Sequence, residues 1–133
     1  MRSTPNAPEG EPTILVGAGD IADCRDPEMK PLWKALYDAN ADVVIDGHDH
    51  NYERFAPQNP EGGSDAARCI REFVVGTGGK NHRPIVLAEP NSESRNADAY
   101  GVLKLTLRAG AYDWRFIAEP GKQFVDSGSA KCH

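Results

Sequence analysis

Apolar positions along this chain fall in short runs or in strict alternation, and they recur at helical spacing in one segment. Residues 13–18 (TILVGA), 43–45 (VVI) and 71–76 (REFVVG) are apolar, β-branched runs bounded by Gly or Asp, as buried strands are. Val102, Leu103, Leu105 and Leu107 precede Ala109-Gly110, and Tyr112, Trp114 and Phe116 follow it at every second residue. That pattern predicts a β-hairpin with one buried face. Gln123-Phe124-Val125 adds an expected edge strand. Met29, Leu32, Trp33, Leu36 and Tyr37 share one face of a helix. Asp26-Pro27 can supply the N-cap and first residue of that helix. Pro31 is tolerated only in a first turn, so the regular part begins there, and Asn40 closes it. The expected elements are strands over 14–18, 43–45, 72–76, 101–107 and 111–118 and a helix over 31–40. Residues 56–67 and 84–96 read as irregular loops.

Composition narrows this to a sheet-dominated α/β fold. With 13 glycines and 10 prolines in 133 residues, turns are too frequent for a helical bundle. One domain is expected over 13–133, preceded by a polar, proline-rich arm over 1–12 that reads as disordered and as neither a signal nor a transit peptide. A net charge of −5 argues against a nucleic-acid surface, which would carry clustered Lys and Arg. No apolar run approaches the ~20 residues of a membrane span, so no membrane partner is expected. Cys24, Cys69 and Cys132 form no CxxC pair, which argues against a structural zinc knuckle, and the cysteines name no compartment.

The candidate chemistry follows the second strand, in Gly47-His48-Asp49-His50. Gly47 lets the backbone turn. In extended backbone the i, i+2 spacing puts both imidazoles on one side, where they suit one transition metal or two neighbouring ions. Asp49 would point away or orient one of them. Asp20 ends the first strand through Gly17-Ala18-Gly19, and the C-terminal ends of neighbouring parallel strands can bring Asp20, His48 and His50 together. The plainer readings are an exposed polar loop and a turn aspartate bonded to local backbone. Gly78-Gly79 reads as a turn, or as backbone N–H groups offered to an anion. The outline Gly17-x-Gly19-x-x-Ala22 also suggests a dinucleotide-binding βαβ unit. Against that, Asp20 would repel the pyrophosphate, and Pro27 and Pro31 delay the helix that should open inside the glycine motif.

The string Gly47-His48-Asp49-His50-Asn51-Tyr52-Glu53-Arg54 resembles the GHxH block of calcineurin-like metallophosphoesterases, and its Tyr-Glu-Arg extension is similar to the purple acid phosphatase branch. Gly19-Asp20-Ile21-Ala22 looks like the family's opening GDxx block. The segment from Phe73 to Gly79 and the Tyr112-x-Trp114 hairpin resemble the end of the same domain in secreted bacterial members. The resemblance implies a β-sandwich flanked by helices and metal-dependent hydrolysis of small-molecule phosphate esters. Asp20 and His50 would hold one ion and His48 would help hold a second, the metals being Fe, Zn or Mn. The family's middle section has no counterpart here, and with it go the GDxxY and GNH(D/E) blocks, a further ligand His and the acid/base His. Asn81-His82 lacks the preceding Gly and the following acid. The expectation is therefore a partial sandwich holding at most one ion, with activity far below that of an intact relative. The alternative is a non-catalytic metal-binding or structural remnant of the family's C-terminal half. A missing section also predicts an uncovered apolar surface and self-association through it. Because secreted relatives would tolerate disulfides, pairing of Cys24 with Cys132 is a further expectation.

Overall fold

The computed structural model describes residues 15–17 (backbone), 30–64, 67–68 and 70–133. The order of elements is β1 (Leu15–Gly17), α1 (Lys30–Asp38), β2 (Val43–Asp46), β3 (Tyr52–Phe55), β4 (Arg71–Val75), β5 (Ser92–Asn96), β6 (Gly101–Arg108), β7 (Ala111–Ala118) and β8 (Ser127–Lys131). Two sheets and one helix make the chain predominantly β among its described residues, compatible with a sheet-rich α/β fold. No helix among them is long and apolar enough to cross a membrane.

The first sheet has the order β1-β2-β4-β3-β5, with β1, β2 and β4 parallel and β3 antiparallel to both β4 and β5. The second is the meander β6-β7-β8. Side-chain alternation gives the first sheet two different faces. Val43, Tyr52 and Phe73 meet Tyr112, Trp114 and Phe116 of the second sheet in a shared aromatic core. On the opposite face Val44 and Ile70 pack under Trp33 and Leu36 of α1. The helix ends as its sequence dictates. Asn40 adopts φ 58°, its N–H donates to Tyr37 O, and Ala41 N–H reaches back to Leu36 O, so the last carbonyls are satisfied by a Schellman arrangement. Pro31 sits in the first turn. Leu32 lies 37% exposed, so the buried stripe is narrower than the apolar spacing suggests.

Three expectations need correction. Residues 92–96 (SESRN) form an edge strand against β3 and are not part of an irregular loop. Their sequence carries no apolar residue, so hydrophobic alternation could not reveal them. Residues 123–125 form no strand; the third strand of the second sheet is β8, five residues of small or polar type. It stays small because Trp114 occupies its inner side: a Cβ on Gly128 would lie 2.3 Å from Trp114 Cζ2. Finally, the His-x-His segment is not extended. Residues 48–50 bend, and His48 has φ 74°. The same-side argument from strand geometry therefore does not apply to it.

Exposed large apolar side chains occur in a loop (Val86, Leu87), at Val125, and on the outer face of the hairpin, where Val102 and Ile117 are cross-strand neighbours. Cys132 is half-buried against the shared core, while Cys24, its expected partner, Cys69 and the 1–12 arm lie outside the described residues.

Candidate functional site

β2 and β4 are parallel neighbours, but β3 lies on the far side of β4. The chain leaving Asp46 must therefore cross the C-terminal end of β4 before it can start β3 at Tyr52, opposite Val75. The 47–51 loop makes this crossing, at the sheet end where ligands collect in parallel sheets. It needs a gap, and Gly76 provides one. A Cβ there would stand 1.7 Å from the carbonyl oxygen of Asp49, a distance no side chain can occupy. Gly76 is thus kept small by close approach, with its N–H donating to Asn51 O at 3.0 Å. Gly47 meets nothing where a Cβ would be, and the left-handed residue of the loop is His48.

Two backbone bonds and one side chain shape the loop further. Asn51 N–H donates to Asp49 O at 2.8 Å, closing a tight turn. Arg83 N–H donates to His50 O at 3.1 Å, which ties the loop to the 81–83 segment. His50 Nδ1–H donates to the carbonyl of Asn81 at 2.8 Å. An imidazole nitrogen facing a carbonyl must carry the proton, so the lone pair of neutral His50 is on Nε2. Metal-bound histidines are commonly oriented this way. Asn81 was legible only as a failed match to the GNH block; its contribution comes from a backbone carbonyl, for which no sequence signal exists. His82 stacks on Tyr100 with centroids 4.0 Å apart. Gly78 and Gly79 are exposed, the latter at φ 121°.

Of the expected ligands, His50 is half-buried at this loop, His48 is exposed two residues earlier, and Asp20 lies outside the described residues. Among the described residues no group of three or more His, Cys, Asp or Glu is arranged to hold an ion. Asp49 turns outward toward Arg83, 3.8 Å away. Asp46, at the end of β2, is buried. Burial pushes its carboxyl up to about 7, against the pull of a hydrogen bond with Glu72 and with a further push from the charge of Asp49. The donor chemistry thus fits imidazole coordination of one ion through His50, completed from elsewhere.

The Tyr-Glu-Arg extension has a different use from the histidines. As β3 it alternates, sending Tyr52 and Arg54 into the space between the sheets and Glu53 to the helix side. Tyr52 Oη donates to Asp126 Oδ2 at 2.6 Å. Arg54 holds the same carboxylate through Nε at 2.7 Å and Nη2 at 3.1 Å, and also pairs with Glu93. Asp126 follows the residues read as an edge strand, and its partners are more than seventy residues away, so sequence proximity could not find it. No protein-family model matches the chain, and no curated protein matches it.

Proposed function

We propose that this chain is a shortened calcineurin-like metallophosphoesterase that holds a single Fe, Zn or Mn ion at the loop after β2 and hydrolyses small-molecule phosphate esters weakly. The observation that carries this reading is the hydrogen bond from His50 Nδ1 to Asn81 O, which leaves Nε2 as the ligating nitrogen. The arrangement of two facing sheets with a helix on the outer face of one agrees with a partial sandwich of that family. His50, His48 and Asp20 would hold the ion. When bound, it would supply Lewis-acid polarisation of a phosphoryl oxygen. The chain's own part is to hold His50 in one tautomer and to seat its loop across the end of β4 through Gly76.

The test is metal analysis of the purified chain, paired with hydrolysis of p-nitrophenyl phosphate. Up to one transition metal per chain is expected, lost in His50→Ala, with hydrolysis far slower than that of an intact relative. Two tightly bound ions with rapid turnover would overturn the single-ion reading. Protein that stays metal-free after incubation with Fe, Zn and Mn would overturn the whole of it. A non-catalytic metal-binding remnant is the second reading. Metal bound at His50 with no hydrolysis above background would select it.

A further inference from the structure

The second sheet ends on β6, which has β7 on one side and no strand on the other among the described residues. Hydrogen bonds near its start fix which groups face that open edge. Glu119 N–H donates to Tyr100 O, so, with Gly101 opposite Ala118, it is residues 102, 104, 106 and 108 that bond β7. Gly101 bonds away from β7: its N–H donates to Thr77 O at 3.1 Å, and its carbonyl accepts from Thr77 Oγ1 at 2.8 Å. The backbone N–H and C=O groups of Leu103, Leu105 and Leu107 therefore face the edge, with no partner among the described residues. Thr77 bounds this open stretch at one end and the turn at Ala109-Gly110 bounds it at the other.

Exposed edges are commonly blunted by a proline, a bulge or an inward-pointing charge. β6 contains no proline, and its register with β7 runs unbroken from Gly101 to Arg108. Lys104 and Arg108 alternate onto the outer face, which leaves Leu103, Leu105 and Leu107 on the inner one. Leu103 and Leu105 are only partly buried against the shared core, and Leu107 is 46% exposed. Open hydrogen bonds and an incompletely covered leucine row thus lie along the same edge.

We infer that this edge takes a second copy of the chain, β6 pairing antiparallel with β6 of that copy about a two-fold axis at Leu105. Three features select this occupant and this register. Centring on Leu105 sets Leu105 against its own counterpart and Leu103 against Leu107, so all three open residues are used and each pair exchanges two backbone bonds. On the inner face leucine meets leucine across the new seam, which covers Leu107. On the outer face Lys104 meets Thr106 and Val102 meets Arg108, so no like charges stand opposite each other. Moving the centre to residue 104 sets Lys104 against itself, and moving it to residue 106 sets Lys104 against Arg108. Both shifts are disfavoured by charge, and each leaves an open leucine unpaired. The two three-stranded sheets become one, and the two-fold contact closes on itself without building a filament. The pairing involves neither His50 nor a metal, so it stands or falls apart from the phosphoesterase reading.

Sedimentation velocity of the full chain, from micromolar to near-millimolar concentration, tests it together with amide hydrogen exchange at both ends of that range. A reversible monomer–dimer equilibrium is expected, with the amides of Leu103, Leu105 and Leu107 protected only in the dimer. Thr106→Lys brings a second cation opposite Lys104 at both symmetric contacts, whereas within one chain it stands opposite Asp113. The variant should fold, and its dimer should dissociate about tenfold more readily. Leu107→Pro removes an edge N–H that β7 does not use and should abolish the dimer. Circular dichroism establishes that each variant is folded, and Thr106→Lys carries the test alone if Leu107→Pro is not. A chain that stays monomeric throughout would overturn the proposal and leave the edge to a strand of some other protein. A dimer whose leucine amides exchange as fast as in the monomer would overturn it as well. So would a dimer left undiminished by either folded variant.

Discussion

The two faces of the first sheet handle charge in opposite ways. Toward the second sheet, each of the charged groups Arg54, Asp126, Arg71 and Glu93 has a partner of opposite sign. Arg54 and Asp126 form a two-pronged pair, Tyr52 adds a third bond, and Arg71 bonds Glu93 at 2.7 Å and Phe55 O at 2.8 Å. Both guanidinium groups lie over Trp114, 5.0 and 4.9 Å from the ring centroid. Toward the helix, Asp46, Glu53 and Glu72 share a wall, and there Asp46 and Glu72 are hydrogen-bonded acid to acid. The same strands supply both faces, so the contrast comes from what packs opposite. The second sheet brings Asp126 and Trp114 to the first face, whereas α1 covers only the apolar half of the other with Trp33 and Leu36. A charged residue on a strand joins an ion pair or stands among acids according to what packs opposite, and not according to its own type.

The largest effect should come from Trp114→Ala. It removes the ring that contacts Phe73 at 5.8 Å and carries both arginines, and loss of a buried Trp typically costs about 3–5 kcal/mol. Urea denaturation measures this, and a cost well under 1 kcal/mol would break the claim that the sheets are held through this ring.

Asp126→Asn should follow, at about 2 kcal/mol, because it takes the charge from a two-pronged bond and leaves the largely buried Arg54 with only the more exposed Glu93 as its counter-ion. Its pH dependence has a definite sign. Burial raises the Asp126 carboxyl pKa, but the hydrogen bonds from Arg54 and Tyr52 outweigh that and hold it below the ordinary value of 3.8. A depressed carboxylate contributes stability that is present above 3.8 and lost as the pH falls through the folded-state value. The gap between parent and variant should therefore be full at pH 7 and shrink below about pH 3.8, as urea midpoints across that range will reveal.

Gly76→Ala probes the seam between the faces, where the 47–51 loop crosses β4. Since its Cβ would collide with backbone, a cost of about 2 kcal/mol is expected, together with shifted amide resonances at Asp49 and His50. An unshifted spectrum would mean that the loop does not sit as described. The smallest effect belongs to the acid wall. Glu53→Gln keeps the side chain's shape and removes a charge that stands opposite Val74, so stability should stay within about 0.5 kcal/mol of the parent or rise. A thermal melt showing a loss as large as that of Asp126→Asn would abolish the contrast between the faces.

Some of this molecule was legible in its sequence because the relevant physics is local. Apolar runs and alternation located β2, β4, β6 and β7, because each strand carries its own buried face. Asn40 closed the helix because its left-handed conformation is a property of the residue and its turn. The GHDH string marked the loop that crosses the sheet end, since metal-site candidates are short in sequence. The tertiary structure decided everything that needed a distant partner. β5 and β8 are strands because edges already formed by β3 and β7 offer hydrogen bonds to backbone of polar or small composition. Gly76 is small because Asp49 approaches it, and His50 has its tautomer because Asn81 turns a carbonyl toward it. Asp126 and Glu53 look alike as acids in the sequence. One is clasped by Arg54 and Tyr52 across the core, the other shares a wall with further acids on the helix side, and only the packing of the strands separates them.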